Sequence, residues 1–478
     1  MIPKAVEDIE IRKIIYDHAA ADAHYRSCVG HTKRLLERFA ADNKFREKMA
    51  VNPVEACQDW GLLRHPEHVR SLWDLNQPAH QRRAESAAAL RYHAMMDEKR
   101  GHSDLLRTEG TPENRTWRIW RERQIKRSRS HLGRKADRLV HAPYCIELGK
   151  GCSLGCGWCA VAAEKMGTQW PYTPENRQTW RDCLEVMREI LGEGARGGYC
   201  YWATDPLDNP EYEDFLMDFH DIQGSFPQTT TAQPEKHVER VKNLLKLSDE
   251  NGGVIERFSV LTLKQWNAIH EAFTAEELAF VECVPQNREA LDPKKVIAGR
   301  ALERHLKMVE LGREEPMEDD VTSTIACVSG FYINMVDRSV QLITPCNATK
   351  RWPLGHWVLD HDTFADAADL RRILLRMINE QMATSLSHRD TVRLREDLNY
   401  QPCEAGFTVS TRYQRHTVTH DADMRGIGDL IASGTHTAMD IALALDAPAE
   451  NTMHFLNVAL YDRGLLFEEP DPSKGDLK

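Results

Sequence analysis

A loop carrying three cysteines, set directly after a short apolar run, constrains this chain more than any other feature. The run is Pro143 to Leu148, and the loop follows as Gly149-Lys-Gly-Cys152-Ser-Leu-Gly-Cys156-Gly-Trp158-Cys159. A brief apolar run that meets a Gly-rich turn reads as a buried strand. The C-x₃-C-x₂-C spacing therefore sits at a strand's C-terminal end, where α/β sheets gather their chemistry. Three thiolates on one tight loop can ligate three irons of a four-iron four-sulfur cluster, leaving the fourth iron open to a substrate. A structural zinc site closes with a fourth Cys or His, usually from a second paired motif, and the sequence has no second C-x₂-C.

The surrounding pattern supports an α/β class. From Pro143 to about Ser329, strand-like and helix-like stretches alternate. The expected strands are Tyr144 to Leu148, Gly198 to Trp202, Gln228 to Thr231, Arg257 to Leu261, Phe280 to Val284 and Thr324 to Val328. Helical stretches such as Thr173 to Leu191 and Tyr212 to His220 lie between them. Six parallel strands with helices outside predict a partial (β/α)6 barrel over 141–330. An extension, 331–420, opens with a hairpin of Phe331 to Val336 and Ser339 to Thr344 around Asp337-Arg338.

Residues 1–140 are helix-patterned. Within them 31–75 is a compact unit in which Leu35, Leu36, Phe39, Phe45 and Met49 recur at helical spacing. Pro53 suits a first helical position and Gly61 a helix end. Arg115 to Arg138 holds ten Lys or Arg against Glu122 and Asp137. Such a run reads as the solvated face of a helix, or as a surface for an acidic peptide. Residues 421–470 read helix, turn, helix, strand, in the manner of a winged helix. From Arg425 to Lys478, nine Asp or Glu face four Lys or Arg, the wrong sign for phosphate. Peptide docking or oligomerisation fits this segment better than DNA.

Charge and cysteine usage bound the setting. A net charge of -11 disfavours a general nucleic-acid binder. No apolar run approaches the ~20 residues that span a bilayer, and the N-terminus lacks a signal core. Twelve scattered cysteines read as reduced thiols, so the expected compartment is the cytosol.

The triplet and its flanks resemble the radical S-adenosylmethionine superfamily. Ile146-Glu-Leu-Gly-Lys-Gly-Cys152, Tyr201-Trp-Ala-Thr-Asp-Pro-Leu-Asp-Asn-Pro210, Thr229 to Thr231, Arg257-Phe-Ser-Val260, Ile269-His-Glu-Ala-Phe273 and Thr344-Pro-Cys346-Asn-Ala-Thr-Lys-Arg-Trp-Pro353 resemble the proteusin peptide epimerases in the same order. The stretch from Phe45 to Leu62 also resembles the leader peptides of proteusin precursors.

This resemblance implies a partial barrel with Cys152, Cys156 and Cys159 holding one 4Fe-4S cluster. It implies S-adenosylmethionine as cosubstrate, with Trp158, Thr204, Asp205 and Ser259 as contacts. Asp205 is the expected acceptor for the methionyl ammonium, with Asp208 or Asn209 as a simple helix start nearby. Ser259 and Thr230 are expected at the ribose. The implied partners are a precursor peptide with a proteusin-type leader and an external electron donor of flavodoxin or ferredoxin type. No nucleic acid and no membrane are expected.

The implied reaction inverts α-carbons from L to D: a 5′-deoxyadenosyl radical removes the Cα hydrogen and a thiol returns one from the opposite face. Nine cysteines lie outside the triplet. Cys145, Cys200, Cys283 and Cys327 fall in expected strands and Cys183 on a helix, so they read chiefly as packing. Cys346 follows a proline in a polar loop and is the expected donor, ahead of Cys403 and Cys327. Gly157-Trp158 and Ala160 depart from the family pattern. Other radical modifications of a peptide, or a leader-binding scaffold without catalysis, are the alternatives.

Overall fold

The computed structural model describes residues 23–74, 86–253, 256–292, 296–315 and 323–470. The outer parts of both expected terminal domains, 1–22 and 471–478, and the last residue of the 31–75 unit lie outside these residues.

Strand β1 (Ala142–Glu147) is buried along its whole length. Strands β2 (Thr230–Thr231), β3 (Arg257–Val260) and β4 (Glu282–Pro285) form a parallel three-stranded sheet. A second sheet has the order β1-β5-β6-β7, with β5 (Val328–Asn334) parallel to β1. Strands β6 (Ser339–Pro345) and β7 (His356–Thr363) complete it as antiparallel neighbours. The described residues thus form a mixed α/β fold with small sheets and no closed barrel.

Two expected strands differ. Gly198 to Trp202 is irregular and meets β1 by one parallel bridge, Cys145 to Tyr199. The Ala203 and Thr204 amides donate to the Glu147 side chain, so the end of this segment turns instead of continuing a ladder. The sixth strand lies further along the chain than Thr324 to Val328. The Thr324 hydroxyl ties into a turn with Ala326 N–H and Gly355 O, and extension begins only at Val328. That strand is also the first arm of the expected hairpin, so one strand replaces two.

The sheet is apolar on both faces, and successive side chains alternate between them as a period of two requires. Tyr144, Ile146, Phe331 and Ile333 pack with Trp180, Leu184 and Met187 of the helix Pro174–Leu191 and with Phe215 and Phe219 of Tyr212–Gln223. Cys145, Val328 and Ile343 point the other way, with Tyr199, Trp202 and Tyr332.

The N-terminal unit is a cluster of short helices. Asn52 caps the helix Pro53–Asp59, Pro53 opens it, and Gly61 follows it with φ +60°. The unit docks on the second and third βα connections: Arg38 donates to Asn267 at 2.7 Å and Asn287 to Ala41 O at 2.8 Å.

The basic run is solvated only in part: Arg115, Lys126, Arg129, Arg134 and Arg138 are exposed, but three arginines turn inward. On the helix Arg115–Leu132, Arg121, Arg123 and Arg127 are buried beside Trp117 and Trp120. Their guanidinium groups are absorbed by carbonyl ends and one carboxylate. Arg121 donates to His141 O, Arg127 to Pro345 O, and Arg123 to Ala383 O and Glu468. Arg123 also stacks on Tyr461 and Arg127 on Trp357, both at 3.9 Å. These groups serve as interior fasteners.

The C-terminal unit begins earlier than residue 421. Strands β8 (Asn399–Cys403), β9 (Gly406–Ser410) and β10 (Arg415–Thr419) form an antiparallel meander. Phe407, Val409 and Val418 share one core with Val392, Ile427, Ile431, Ile441 and Leu456. The meander and the three helices after it, Ile427–Ser433, Ala438–Ala444 and Ala449–Phe455, are therefore a single packing unit.

Candidate functional site

The triplet loop is built by close backbone approach. Gly151 has φ +79°, and a Cβ there would lie 2.1 Å from Lys165 O. Only glycine lets the two strands of the loop meet there. The loop folds back on 164–169, with Cys152 N–H on Glu164 O at 3.0 Å and Lys150 N–H on Thr168 O at 2.9 Å. At its base the Asn209 amide donates to Leu148 O and Trp170 O. Arg300 grips the far side. Its N–H donates to Cys159 O at 3.0 Å, and its guanidinium to Cys156 O and Ala163 O.

Cys152, Cys156 and Cys159 are all half-exposed on this loop, as is Trp158. Burial pushes the Cys152 thiol up to about 11, opposed by the N–H groups of Leu154 and Asp205 that face its sulfur. The Ala163 N–H lies 3.4 Å from the Cys159 sulfur. Amides facing the sulfurs are donors that a thiolate would accept.

Among the described residues no three His, Cys, Asp or Glu side chains converge as a ready site for a metal ion. A single zinc requires its ligands about 2.3 Å from one point. A four-iron cluster takes each thiolate on a different iron, so its ligands stay apart. Three thiols with amide donors on an open loop are a donor set that could each take one iron of such a cluster.

The two following strand ends are stitched to the loop. Asp208 accepts from Ser153 N–H at 2.9 Å and from the Gln233 amide at 2.9 Å. Asp205 is buried, and its carboxylate is already satisfied by the chain. It accepts from Thr231 Oγ1, Ala232 N–H at 2.7 Å and Leu207 N–H at 3.1 Å. Asp205 thus caps the short turn Pro206–Asp208, as Asp208 or Asn209 was expected to do further along. Thr204 donates its hydroxyl to Glu147. Ser259 is half-buried on β3, and the Thr230 hydroxyl lies 2.7 Å from the Tyr201 hydroxyl.

Sequence reasoning missed two residues. Glu147 ends β1 with its side chain buried, and burial pushes its carboxyl up to about 7 against the N–H groups of Trp202, Ala203 and Thr204. An acidic residue inside a buried strand was the available signal. Arg300 is far away in sequence and carried none.

Cys346 is brought to a different place. It is buried with Trp352 and Trp357 and lines a cavity of about 310 Å³. The other walls include His131, Asn347, Phe467 and Glu469. Burial raises its thiol, while Arg127 nearby acts in the opposite sense. The loop after β6 reaches the triplet through one relay: Gly299 N–H donates to Pro353 O at 2.7 Å, next to the Arg300 contact with Cys159. Cys327 is half-buried against Leu132, Ala136 and Leu139, and Cys403 is exposed where β8 turns into β9. Cys145, Cys183, Cys200 and Cys283 are buried, and all twelve cysteines are free.

Fold and site together define a mixed α/β protein with a thiol-bearing loop at the C-terminal end of a parallel strand and an appended α/β unit. The chain is 34% identical over 456 residues to the uncharacterized protein y4wI of Sinorhizobium fredii (strain NBRC 101917 / NGR234), covering 93% of this chain and 88% of that protein. It belongs to the y4wI family. The family described as Protein y4wI C-terminal domain matches residues 392–462, the span of the C-terminal packing unit. No solved structure matches the chain. No helix among the described residues is long and apolar enough to cross a membrane.

Proposed function

We propose that this chain is a radical S-adenosylmethionine enzyme that inverts L-residues to D in a ribosomally made precursor peptide with a proteusin-type leader. The observation that carries the reading is the triplet loop: three half-exposed thiols, amide donors around them, and two neighbouring strand ends tied to the same rim. The reading calls for a partial (β/α)6 barrel, in which the β2-β3-β4 sheet and the β1–β5 pair would be five of the parallel strands and the Gly198 to Trp202 segment would take the remaining place. One 4Fe-4S cluster on Cys152, Cys156 and Cys159, with S-adenosylmethionine, supplies a hydrogen-abstracting 5′-deoxyadenosyl radical when bound.

The remaining work falls to this chain. Arg300 and Asn209 hold the loop open, and Asp208 registers it against the third strand end. Cys346 is the proposed hydrogen donor. A donor must carry its hydrogen, and burial keeps this thiol protonated. The proposed compartment is the cytosol, which suits free thiols and an electron donor of flavodoxin or ferredoxin type.

The test is the anaerobic reaction in heavy water with a precursor peptide that carries a proteusin-type leader. One deuterium at each inverted α-carbon is expected, with the mass otherwise unchanged. Consumption of S-adenosylmethionine without label removes the inversion, and a loss of two hydrogens points to a cross-link instead. Absence of 5′-deoxyadenosine from reconstituted, reduced protein removes radical chemistry altogether.

A further inference from the structure

Past the C-terminal packing unit, the chain crosses the Cys346 cavity without joining a sheet. Leu466 bridges Leu394, and the Phe467 N–H donates to Arg393 O at 2.8 Å. Beyond Phe467 the pairing stops. Among the described residues, no backbone group of Glu468, Glu469 or Pro470 bonds another backbone group. Phe467, Glu468 and Glu469 nonetheless form one wall of the cavity that Cys346 lines.

Side chains from separate parts of the fold hold this segment instead. The Arg393 guanidinium lies 3.6 Å over the Phe467 ring. Arg123 donates to both Glu468 oxygens, at 2.9 and 3.1 Å. The Trp352 ring N–H donates to Glu469 at 2.6 Å, and Arg351 pairs with the same carboxylate at 3.2 Å. Arg351 also donates to Pro470 O at 3.0 Å. Each residue from Phe467 to Pro470 thus has its own side-chain partner, the manner in which arginine clusters read an acidic peptide. Among the described residues, Glu468 and Glu469 are the carboxylates that pair with Arg123 and Arg351, so the groove beneath the segment is cationic. Arg123 belongs to the basic run, whose composition admits an acidic-peptide surface.

We propose that this groove is a docking surface for an extended acidic stretch of the substrate peptide, and that Phe467-Glu-Glu-Pro470 occupies it as the chain's own stand-in, which the substrate displaces to reach Cys346. Naming the substrate as occupant rests on the proposed function. The preference for an acidic, extended chain stands on the segment's own contacts.

The experiment measures alkylation of each cysteine by iodoacetamide, read by mass spectrometry, in the full chain and in a chain ending at Phe467. Cys346 is expected to react at least about tenfold faster in the shortened chain, with Cys183, buried in the main core, unchanged. The tetrapeptide acetyl-Phe-Glu-Glu-Pro-amide is expected to restore protection to the shortened chain, and acetyl-Phe-Gln-Gln-Pro-amide to do so at least about tenfold more weakly. An unchanged Cys346 rate, or equal protection by the two tetrapeptides, overturns the proposal. Should Cys183 accelerate as well, the shortened chain has lost its fold, and Glu469→Lys in the full chain takes its place. About threefold faster reaction at Cys346 alone is then expected, and a wild-type rate overturns the proposal. A precursor peptide with a proteusin-type leader is expected to shield Cys346 as the acidic tetrapeptide does. A precursor that leaves Cys346 open overturns the substrate as occupant. No arm requires iron or S-adenosylmethionine, so absence of 5′-deoxyadenosine defeats the proposed function and leaves the groove to be judged on its own.

Discussion

The molecule carries thiols in two contrasting settings. The triplet loop is half-exposed, closed by glycine approach, and surrounded by amides that face the sulfurs. Cys346 is 1% exposed, behind Trp352 and Trp357, on a cavity lined in part by the C-terminal unit. Burial raises the Cys152 and Cys346 thiols alike, so the contrast lies in access and in the amides that face the triplet, which suit the proposed ligand role, while full burial suits the proposed hydrogen source.

The largest effect separates the two directly. Cys152→Ala is expected to abolish iron loading and, with it, all 5′-deoxyadenosine. Cys346→Ala is expected to keep full iron loading and cofactor cleavage while D-residue formation collapses. Iron analysis and chiral analysis of hydrolysed peptide read the two outcomes. Full inversion by the Cys346 variant breaks the contrast and moves the donor to Cys403 or Cys327.

The second test works on the walls of the cavity. Arg123 is buried against Glu468, one of the lining residues, and also holds Ala383 O. Arg123→Ala strands that carboxylate, a loss of about 3–5 kcal/mol for breaking a buried pair. Denaturant unfolding measures it. In the same variant, native-state alkylation of Cys346 should accelerate and that of the triplet should not. Equal acceleration at both would mean that the two regions open as one unit.

Sequence and structure agree where one local force decides, and part where a distant partner does. The apolar run of β1, the alternation of β3 and β6, and the helices from Thr173 and Tyr212 were legible from periodicity. The triplet was legible because its spacing carries its chemistry. Gly198 to Trp202 looked like a strand, but amides at its end found Glu147. Of the ten basic residues Arg121, Arg123 and Arg127 are buried, since a count of arginines is blind to the carbonyls that receive them, while the others stay exposed or half-exposed as expected. The meander joined the C-terminal unit through Phe407 and Val418, contacts that residue spacing does not encode. Arg300 reaches Cys156 across 144 residues, beyond any local pattern.

The smallest effect contrasts the pH response of the two regions. Behind the rim, Glu256 is buried under β2 with no cation in hydrogen-bond reach, accepting from Thr229 N–H and Ser248 Oγ, and burial pushes its carboxyl up to about 7. Beside the cavity, Asp397 is paired with Arg395, and its carboxyl is lowered although burial opposes this. The signs are opposite. Glu256 holds its proton more tightly folded than unfolded, so its contribution is complete below about 4.5 and lost as pH rises through about 7. Asp397 contributes above its unfolded value and loses that contribution as pH falls. Glu256→Gln keeps both partners, because the amide oxygen can accept from Thr229 and the NH₂ can donate to Ser248. Thermal unfolding should therefore show the variant gaining up to about 3 kcal/mol over wild type between pH 5 and pH 8. Asp397→Asn should narrow the difference from wild type only toward the acid side. A variant of Glu256 that tracks wild type across the whole range would mean that this carboxyl titrates near its ordinary value, and that the rim differs from the cavity in access alone.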